Sequence, residues 1–224
     1  MDIDLPLDKI YYINLDHRTD KRLHIESAVL QYFKNTCLEE RVERFSAIRH
    51  SEGAIGCSLS HLEIARKAKA VNARYYMVME DDFEFLVTKE VFLETLQHIF
   101  KPYIHPEPTA PLDFKVIMLA YNAINRMQLP LTYSNNIANV LEISNNAQTT
   151  AGFIVNGAYY DELINCWEKG VNMFMNTGQH WNFACDQCWK ELQKEKWFIT
   201  KTRIGKQKPG YSDLGNKEWV NPSC

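Results

Sequence analysis

Long apolar runs are missing from this chain: no stretch approaches the roughly 20 residues that cross a bilayer as a helix. The opening MDIDLPLDKI is acidic and has no apolar core segment, so neither a signal peptide nor an integral membrane segment is expected, and the expected location is the cytoplasm. Blocks of basic charge are missing too. Lysines and arginines are scattered and the net charge is −3, which leaves out the electrostatic footprint that nucleic acid requires and gives no reason to expect a membrane surface. No GxxxxGK[ST] segment occurs, which excludes a Walker-type phosphate loop, and there is no internal repeat or low-complexity tract. Cysteine is present but not as a staple. Residues 37, 57, 166, 185, 188 and 224 are spread through a chain long enough to build a core without disulfides, which fits a reducing compartment. Cys185 and Cys188 make a CxxC with His180 close by. No second CxxC exists and the pair falls at i, i+3 of a predicted helix, so zinc or redox chemistry is not the expectation there.

What is present begins with 224 residues that are 46% hydrophobic, enough for the core of one domain over 1–224. The sharpest local signal is YYMVMEDD at 75–82. Tyr75 to Met79 is a continuous apolar run of the kind buried on both faces of a parallel sheet, and Glu80, Asp81 and Asp82 follow at once. Three adjacent carboxylates at a strand end repel one another. A hard cation or a set of hydrogen-bond donors is expected to balance them, in the crevice beyond the strand ends where open α/β sheets bind ligands. An acidic turn that merely ends a strand is the plain alternative.

Upstream, IYYINL at 10–15 predicts the first strand, and DHRTD at 16–20 a turn into a helix over about 21–33, with Thr19 and Asp20 as candidate caps. A strand end followed by a polar turn and a helix is where α/β folds contact nucleotides or phosphate, which makes Asn14, Asp16 and Arg18 candidate ligand contacts. A second strand over 44–48 leads through a loop holding Gly53 and Gly56 into an amphipathic helix over 57–71. His61 lies on its apolar stripe, where a hydrogen-bonded core histidine competes with a ligand role. Downstream of the acids come a helix over 88–100 capped by Thr88, a proline-rich excursion to 111, and a buried strand over 115–120 ending at Tyr121 and Asn122. After a strand over 139–143, QTTAGFIVN at 148–156 gives a hydroxyl-rich approach to Gly152, whose missing side chain admits a ligand or serves packing. A helix over 157–169, a loop over 172–181 and a helix over 182–194 follow, with Asp186 in the first turns of the last, where the helix dipole favours an ionised carboxylate. A strand over 197–200 and a largely irregular tail complete the chain. The turn at 210–213 is placed to carry Asp213 to the acidic cluster.

Three segments, INLDHRTDKR (13–22), GAIGCSLSHLEIARKA (53–68) and MVMEDDFEF (77–85), stand in this order at short separations. Together they resemble the glycosyltransferase family 25 pattern of bacterial lipooligosaccharide and collagen galactosyltransferases, with TTAGFIV at 149–155, Asp186 and YSD at 211–213 as weaker echoes. The resemblance implies an α/β fold of GT-A type, with a Rossmann-like mixed central sheet flanked by helices, about 1–120 forming the nucleotide-sugar half and about 121–224 the acceptor half. It implies transfer of a hexose, galactose or glucose, from a UDP-sugar donor to a hydroxyl of a glycan or glycoprotein acceptor, with inversion. It also implies Mn2+ or Mg2+ on the donor diphosphate, held by Asp82 with Asp213 as second ligand. Asn14, Asp16, Arg18, His61, Glu80, Asp81 and Gly152 then fall on the donor side, and Asp186 becomes the base. The family's paired arginines after INLD are here His17 and Arg18, then Lys21 and Arg22, so a phosphate contact rests mainly on Arg18.

Two rival classes remain at this level. A non-catalytic carbohydrate- or protein-binding module on the same fold is opposed by the intact acid triad. A phosphoesterase or glycosidase calls for histidine-rich metal sets or two acids flanking a cleft, which clustering at one strand end does not match. The oligomeric state is not legible, and the five tryptophans mark either a sugar-stacking surface or a core.

Overall fold

The computed structural model describes residues 4–104, 112–130, 133–213 and 217–219. Alternation of side chains decides the architecture. Along β3 (Tyr75–Glu80), Tyr75, Met77 and Met79 enter the core on one face of a sheet, while Tyr76 and Val78 enter the core on the other. The same split runs along β1 (Lys9–Asn14), with Ile10 and Tyr12 opposed to Tyr11 and Ile13, and along β5 (Val116–Ala123), with Ile117 and Leu119 opposed to Val116 and Met118. Strands apolar on both sides must be covered on both sides, and here helices cover them.

The sheet has eight strands. With β2 (Val42–Ser46), β6 (Met127–Gln128), β7 (Leu141–Ile143), β8 (Ala147–Asn156) and β9 (Trp197–Thr200), its order is β2-β1-β3-β8-β5-β9-β7-β6. β1 is parallel to β2 and β3, and β5 is parallel to β9, whereas β8 is antiparallel to both β3 and β5. The result is the expected α/β fold with a mixed central sheet flanked by helices. Because β8 inserts between β3 and β5, strands from early and late parts of the chain share one sheet.

One face carries α1 (Thr19–His24), which continues through a π turn over Ile25–Val29 and a 3-10 turn over Leu30–Tyr32, together with α3 (Lys89–Ile104) and α4 (Asn135–Val140). The predicted helix over 21–33 is this irregular segment. Neither Thr19 nor Asp20 caps it, since Arg18 holds the N-cap position without a side-chain cap bond. The other face carries α2 (Gly53–Ala70) and α5 (Tyr160–Thr177). The predicted glycine loop at 53–56 is the first turn of α2. A Cβ on Gly56 would stand 2.5 Å from the Ile48 carbonyl oxygen, so glycine allows the preceding loop to lie against the helix. α5 runs through most of the predicted loop and stops at Gly178, whose φ of +70° is the left-handed C′ position that glycine favours.

The predicted helix over 182–194 is instead broken into α6 (His180–Phe183), α7 (Cys185–Cys188) and a 3-10 turn over Trp189–Lys194. Three buried tryptophans hold this segment down. The Trp189 ring meets Trp197 at 4.8 Å and Phe153 at 5.2 Å, both edge-on, and stacks on Trp167 at 6.0 Å. Each ring of that size contributes about 2–3 kcal/mol by its burial, so tertiary packing substitutes for a continuous helix. The tail is also more regular than expected: β10 (Gly205–Gln207) pairs with β4 (Phe83–Phe85), and β11 (Gly210–Ser212) with β12 (Lys217–Trp219). The proline tract over 105–111 and, in the tail, residues 214–216 and 220–224 lie outside the described residues. Among the described residues no helix is long and apolar enough to cross a membrane.

Candidate active site

β1 lies between two parallel neighbours, so the chain leaves it to one side for β2 and returns on the other for β3. Such a switch point opens a crevice beyond the carboxyl ends of the strands. Ile13 is in register with Glu80, which puts Asn14 next to the acid triad. Asn14 Nδ2 donates to Asp81 Oδ2 at 2.7 Å and to the Arg18 carbonyl at 3.0 Å, tying the two strand ends and the turn together. A cleft of about 490 Å³ opens there, lined by Asn14, His17, Lys21, Ser51, Glu80, Asp81, Asp82 and Asp213 among others.

Charge in the cleft is unevenly balanced. Lys21 Nζ lies 3.3 Å from Asp81 Oδ1 and 3.1 Å from Asp82 Oδ2, one ammonium against a run of three acids. Burial pushes Asp82 up to about 6, with Glu80 and Asp81 adding to the rise and Lys21 opposing it. Burial raises Asp81 as well, against Lys21 and the Asn14 hydrogen bond. Asp82 Oδ1 is buried without a hydrogen-bond partner. An orphaned carboxylate oxygen among oxygen donors is what a hard divalent cation such as Mg2+ or Mn2+ takes, so the residues present fit such an ion.

Glu80 turns away from its two neighbours. Its Oε1 accepts from His61 Nε2 at 3.0 Å and from Thr150 Oγ1 at 2.7 Å. Burial acts most strongly and would raise its pKa, but the His61 bond and charge, the Thr150 bond and the Lys21 charge together hold it below the usual carboxylate range. His61 is raised in turn: burial, the strongest influence, would lower it, but the Glu80 bond together with the charges of Cys185, Glu80 and Asp186 overcomes burial. The histidine is buried and lines neither this cleft nor its neighbour, so it positions Glu80 and does not touch a nucleotide.

A second cavity of about 1060 Å³ adjoins the first and shares Lys21, Cys57, Ser212 and the three acids with it. Gln148, Thr149, Thr150, His180, Trp181, Asp186 and Tyr211 are among the other residues of its walls. Asp186 stands here in the one-turn α7, not on the long helix expected for it. Its place is fixed by contacts from elsewhere: Cys185 N donates to Ser58 Oγ at 3.1 Å, Trp167 Nε1 to the Cys185 carbonyl at 3.1 Å, and Thr149 N to Asp186 Oδ2 at 3.3 Å. Thr149 has φ +79°, next to the register shifts between β5 and β8. A β-branched residue in that region costs of order 1–3 kcal/mol, strain of the kind concentrated at working sites. Burial raises the Asp186 pKa against the Thr149 and Gln187 bonds, bringing the carboxylate nearer the range of a general base.

The other sequence-derived candidates divide. Arg18 bonds Asp20 at 2.8 and 2.9 Å and also Asp213, so both Arg18 and Asp213 reach the site as an ion pair, with His17 3.5 Å from Asp213. Asp16 is exposed, engaged by Arg44 and Ser46, and lines neither cavity. Gly152 is buried against Phe83, where a Cβ would fall 2.4 Å from the ring, so its missing side chain serves packing of β4 on β8 and not a ligand. Sequence reasoning passed over Lys21 as the counter-charge, Thr150 as a Glu80 partner and Trp181 as the exposed ring of the larger cavity. Lys21 had a signal, a cation shortly past a strand end; Thr150 lay in the hydroxyl-rich segment and Trp181 among the five tryptophans, without a sign that singled out either residue.

The model of glycosyltransferase family 25 (LPS biosynthesis protein) matches residues 49–189. No curated protein matches the sequence. Among solved structures, the chain is similar to a glycosyltransferase involved in the glycosylation of the major capsid of PBCV-1, at 9% identity and TM-score 0.42 over 88% of this chain and 93% of that one. It is also similar to the glycosyltransferase GlyE of Streptococcus pneumoniae TIGR4, at 5% identity and TM-score 0.44 over 87% of this chain and 45% of that one. The acid triad at a switch point, the cavity beside it and a family match over most of the chain agree: the protein belongs to glycosyltransferase family 25 and is a glycosyltransferase.

Proposed function

We propose that the protein transfers a hexose, galactose or glucose, from a UDP-sugar to a hydroxyl of a glycan or glycoprotein, with inversion and with Mn2+ or Mg2+. The observation that carries this reading is the buried, unpartnered Asp82 Oδ1 at the switch point, within one cavity system with Asp186. The smaller cleft has the size of a small-ligand site. Asp82 would hold the ion, with Asp213 as the second ligand once released from Arg18, while Asn14, Glu80 and Asp81 order the donor side. When bound, the ion offsets the charge that grows on the departing diphosphate.

Asp186 takes the proton from the acceptor hydroxyl. The oxygen then forms its bond to the anomeric carbon as the bond to the diphosphate breaks on the opposite side, which inverts that centre. Trp181, 61% exposed on the wall of the larger cavity, offers a flat apolar face for an acceptor sugar.

Calorimetric titration of UDP with and without Mn2+ tests the donor side. Metal-dependent binding is expected in the wild type, with affinity reduced at least about tenfold in Asp82→Asn. Silence toward UDP, GDP and CMP alike, with and without metal, rejects the reading.

A further inference from the structure

The two cavities meet over a pair of thiols that the transferase reading leaves unused. Cys57 and His61 are four residues apart on α2 and so share a face of the helix. Cys185, at the opening of α7, is brought against them by its bonds to Ser58 and Trp167. The Sγ atoms of Cys57 and Cys185 and a ring nitrogen of His61 all lie within 4.8 Å of one another. His61 and Cys185 are buried, while half-buried Cys57 lines both cavities, so the cluster is closed toward the core and reached from the clefts.

We propose that Cys57, His61 and Cys185 form a three-ligand site for a thiophilic divalent cation, zinc being the expected occupant, separate from the oxygen-ligand site at Asp82. Two thiolates and an imidazole suit zinc and are poor partners for Mg2+ or Mn2+. Zinc holds such ligands at about 2.0–2.3 Å, so the three atoms need to close by no more than roughly 1 Å to reach tetrahedral separations. Two ligands at i, i+4 of one helix and a third from a distant segment is an ordinary way to build such a site. Glu80 Oε1 lies 3.0 Å from His61 Nε2 and 3.8 Å from Cys57 Sγ, so a carboxylate oxygen borders the cluster. Binding releases the two thiol protons to solvent, together with that of the His61 ring when it is protonated, and involves no change of oxidation state. Its consequence for the protein is to bolt α7 to α2, which fixes the residue next to Cys185, Asp186. The CxxC is not the site: the Cys188 thiol turns to the Cys185 carbonyl and His180 lies against Trp181.

The test is titration of Co2+ into reduced, chelator-treated protein without air, read by absorption and so independent of any sugar or nucleotide. One equivalent is expected to give the visible bands of tetrahedral Co2+ and a thiolate-to-cobalt charge-transfer band, both displaced by Zn2+. The charge-transfer band should persist in Asp82→Asn and disappear in Cys57→Ser/Cys185→Ser. In the wild type, where folding is not in question, one equivalent of Zn2+ should protect two thiols from alkylation. Absence of the band at saturating Co2+, its survival in the double variant, or unchanged alkylation with Zn2+ overturns the proposal. So does recovery of a Cys57–Cys185 disulfide from protein that gives no band after reduction, which makes the pair a redox element instead. UDP binding failing while the cobalt band appears rejects the donor reading alone.

Discussion

The two cavities are built in different ways. Most of the smaller one comes from the first 82 residues, where two strand ends, one turn and the start of one helix meet at a switch point. The larger gathers its distinctive residues from β8, from the broken helical turns at 180–188 and from the tail. The first is set by the topology of consecutive β-α-β units, and the second by packing between segments far apart along the chain. Chemistry that recurs across a family sits well on the first kind of site, and chemistry that varies with the acceptor on the second.

If the division is real, single substitutions should separate the two functions. The largest effect is expected from Asp186→Asn, which should lower the transfer rate about 10²–10⁴-fold, the usual contribution of a general base, while leaving the Kd for UDP unchanged. Loss of UDP binding in that variant would break the comparison, because one cavity would then be doing both jobs.

Next in size is His61→Ala, which leaves the Glu80 carboxylate with only Thr150 and the weak Cys57 thiol as hydrogen-bond partners. Chemical denaturation should show a loss of roughly 3–5 kcal/mol, as for other buried pairs deprived of one partner. His61→Gln, which can still donate a hydrogen bond, should recover part of it, and equal losses in both variants would mean that ring packing against Phe153 and Trp167 matters more than the bond.

The smaller cleft should also show itself in pH dependence. Asp82 is raised to about 6 from its ordinary 3.8, so the folded state binds its proton more tightly than the unfolded state does. Its contribution to stability is therefore present below the unfolded value and is lost as pH rises through about 6. Without metal, Asp82→Asn should be more stable than the wild type above pH 6, by about 1–3 kcal/mol, with the difference closing toward pH 4. Mn2+ should erase that difference by stabilising the wild type alone. Thermal melts at pH 4 and pH 7 with and without the ion measure both parts.

The smallest effect is expected from Trp181→Ala, which should raise the KM for the acceptor severalfold, about 1 kcal/mol for an exposed aromatic contact, and leave the donor KM unchanged. Movement of the donor KM instead would assign Trp181 to the nucleotide.

Legibility in the sequence follows the same division. YYMVMEDD announced a buried strand and its acids because period-2 burial on both faces leaves an unbroken apolar run, and charge cannot continue it. Asn14 and Arg18 were legible because a polar turn between a strand and a helix must face the crevice. Asp16 and Gly152 were marked by the same signs yet do other work, since a turn acid and a strand glycine look alike whether they serve a ligand, an arginine or a phenylalanine ring. The segment over 182–194 is not the single helix expected of it, because Trp167, Trp189 and Trp197 pull it into separate turns.

By itself the sequence determined the α/β class, the early strands and helices, and the presence of three carboxylates at a strand end, because these depend on neighbours within a few residues. Tertiary structure alone decided that His61 serves Glu80, that Lys21 lies between two of the acids, and that Cys57 and Cys185, from distant parts of the chain, come into one cluster beside Asp186. Those contacts arise where α1 and α2 meet the end of β3 and where α7 docks on α2, and no local pattern encodes a meeting of segments so distant in sequence.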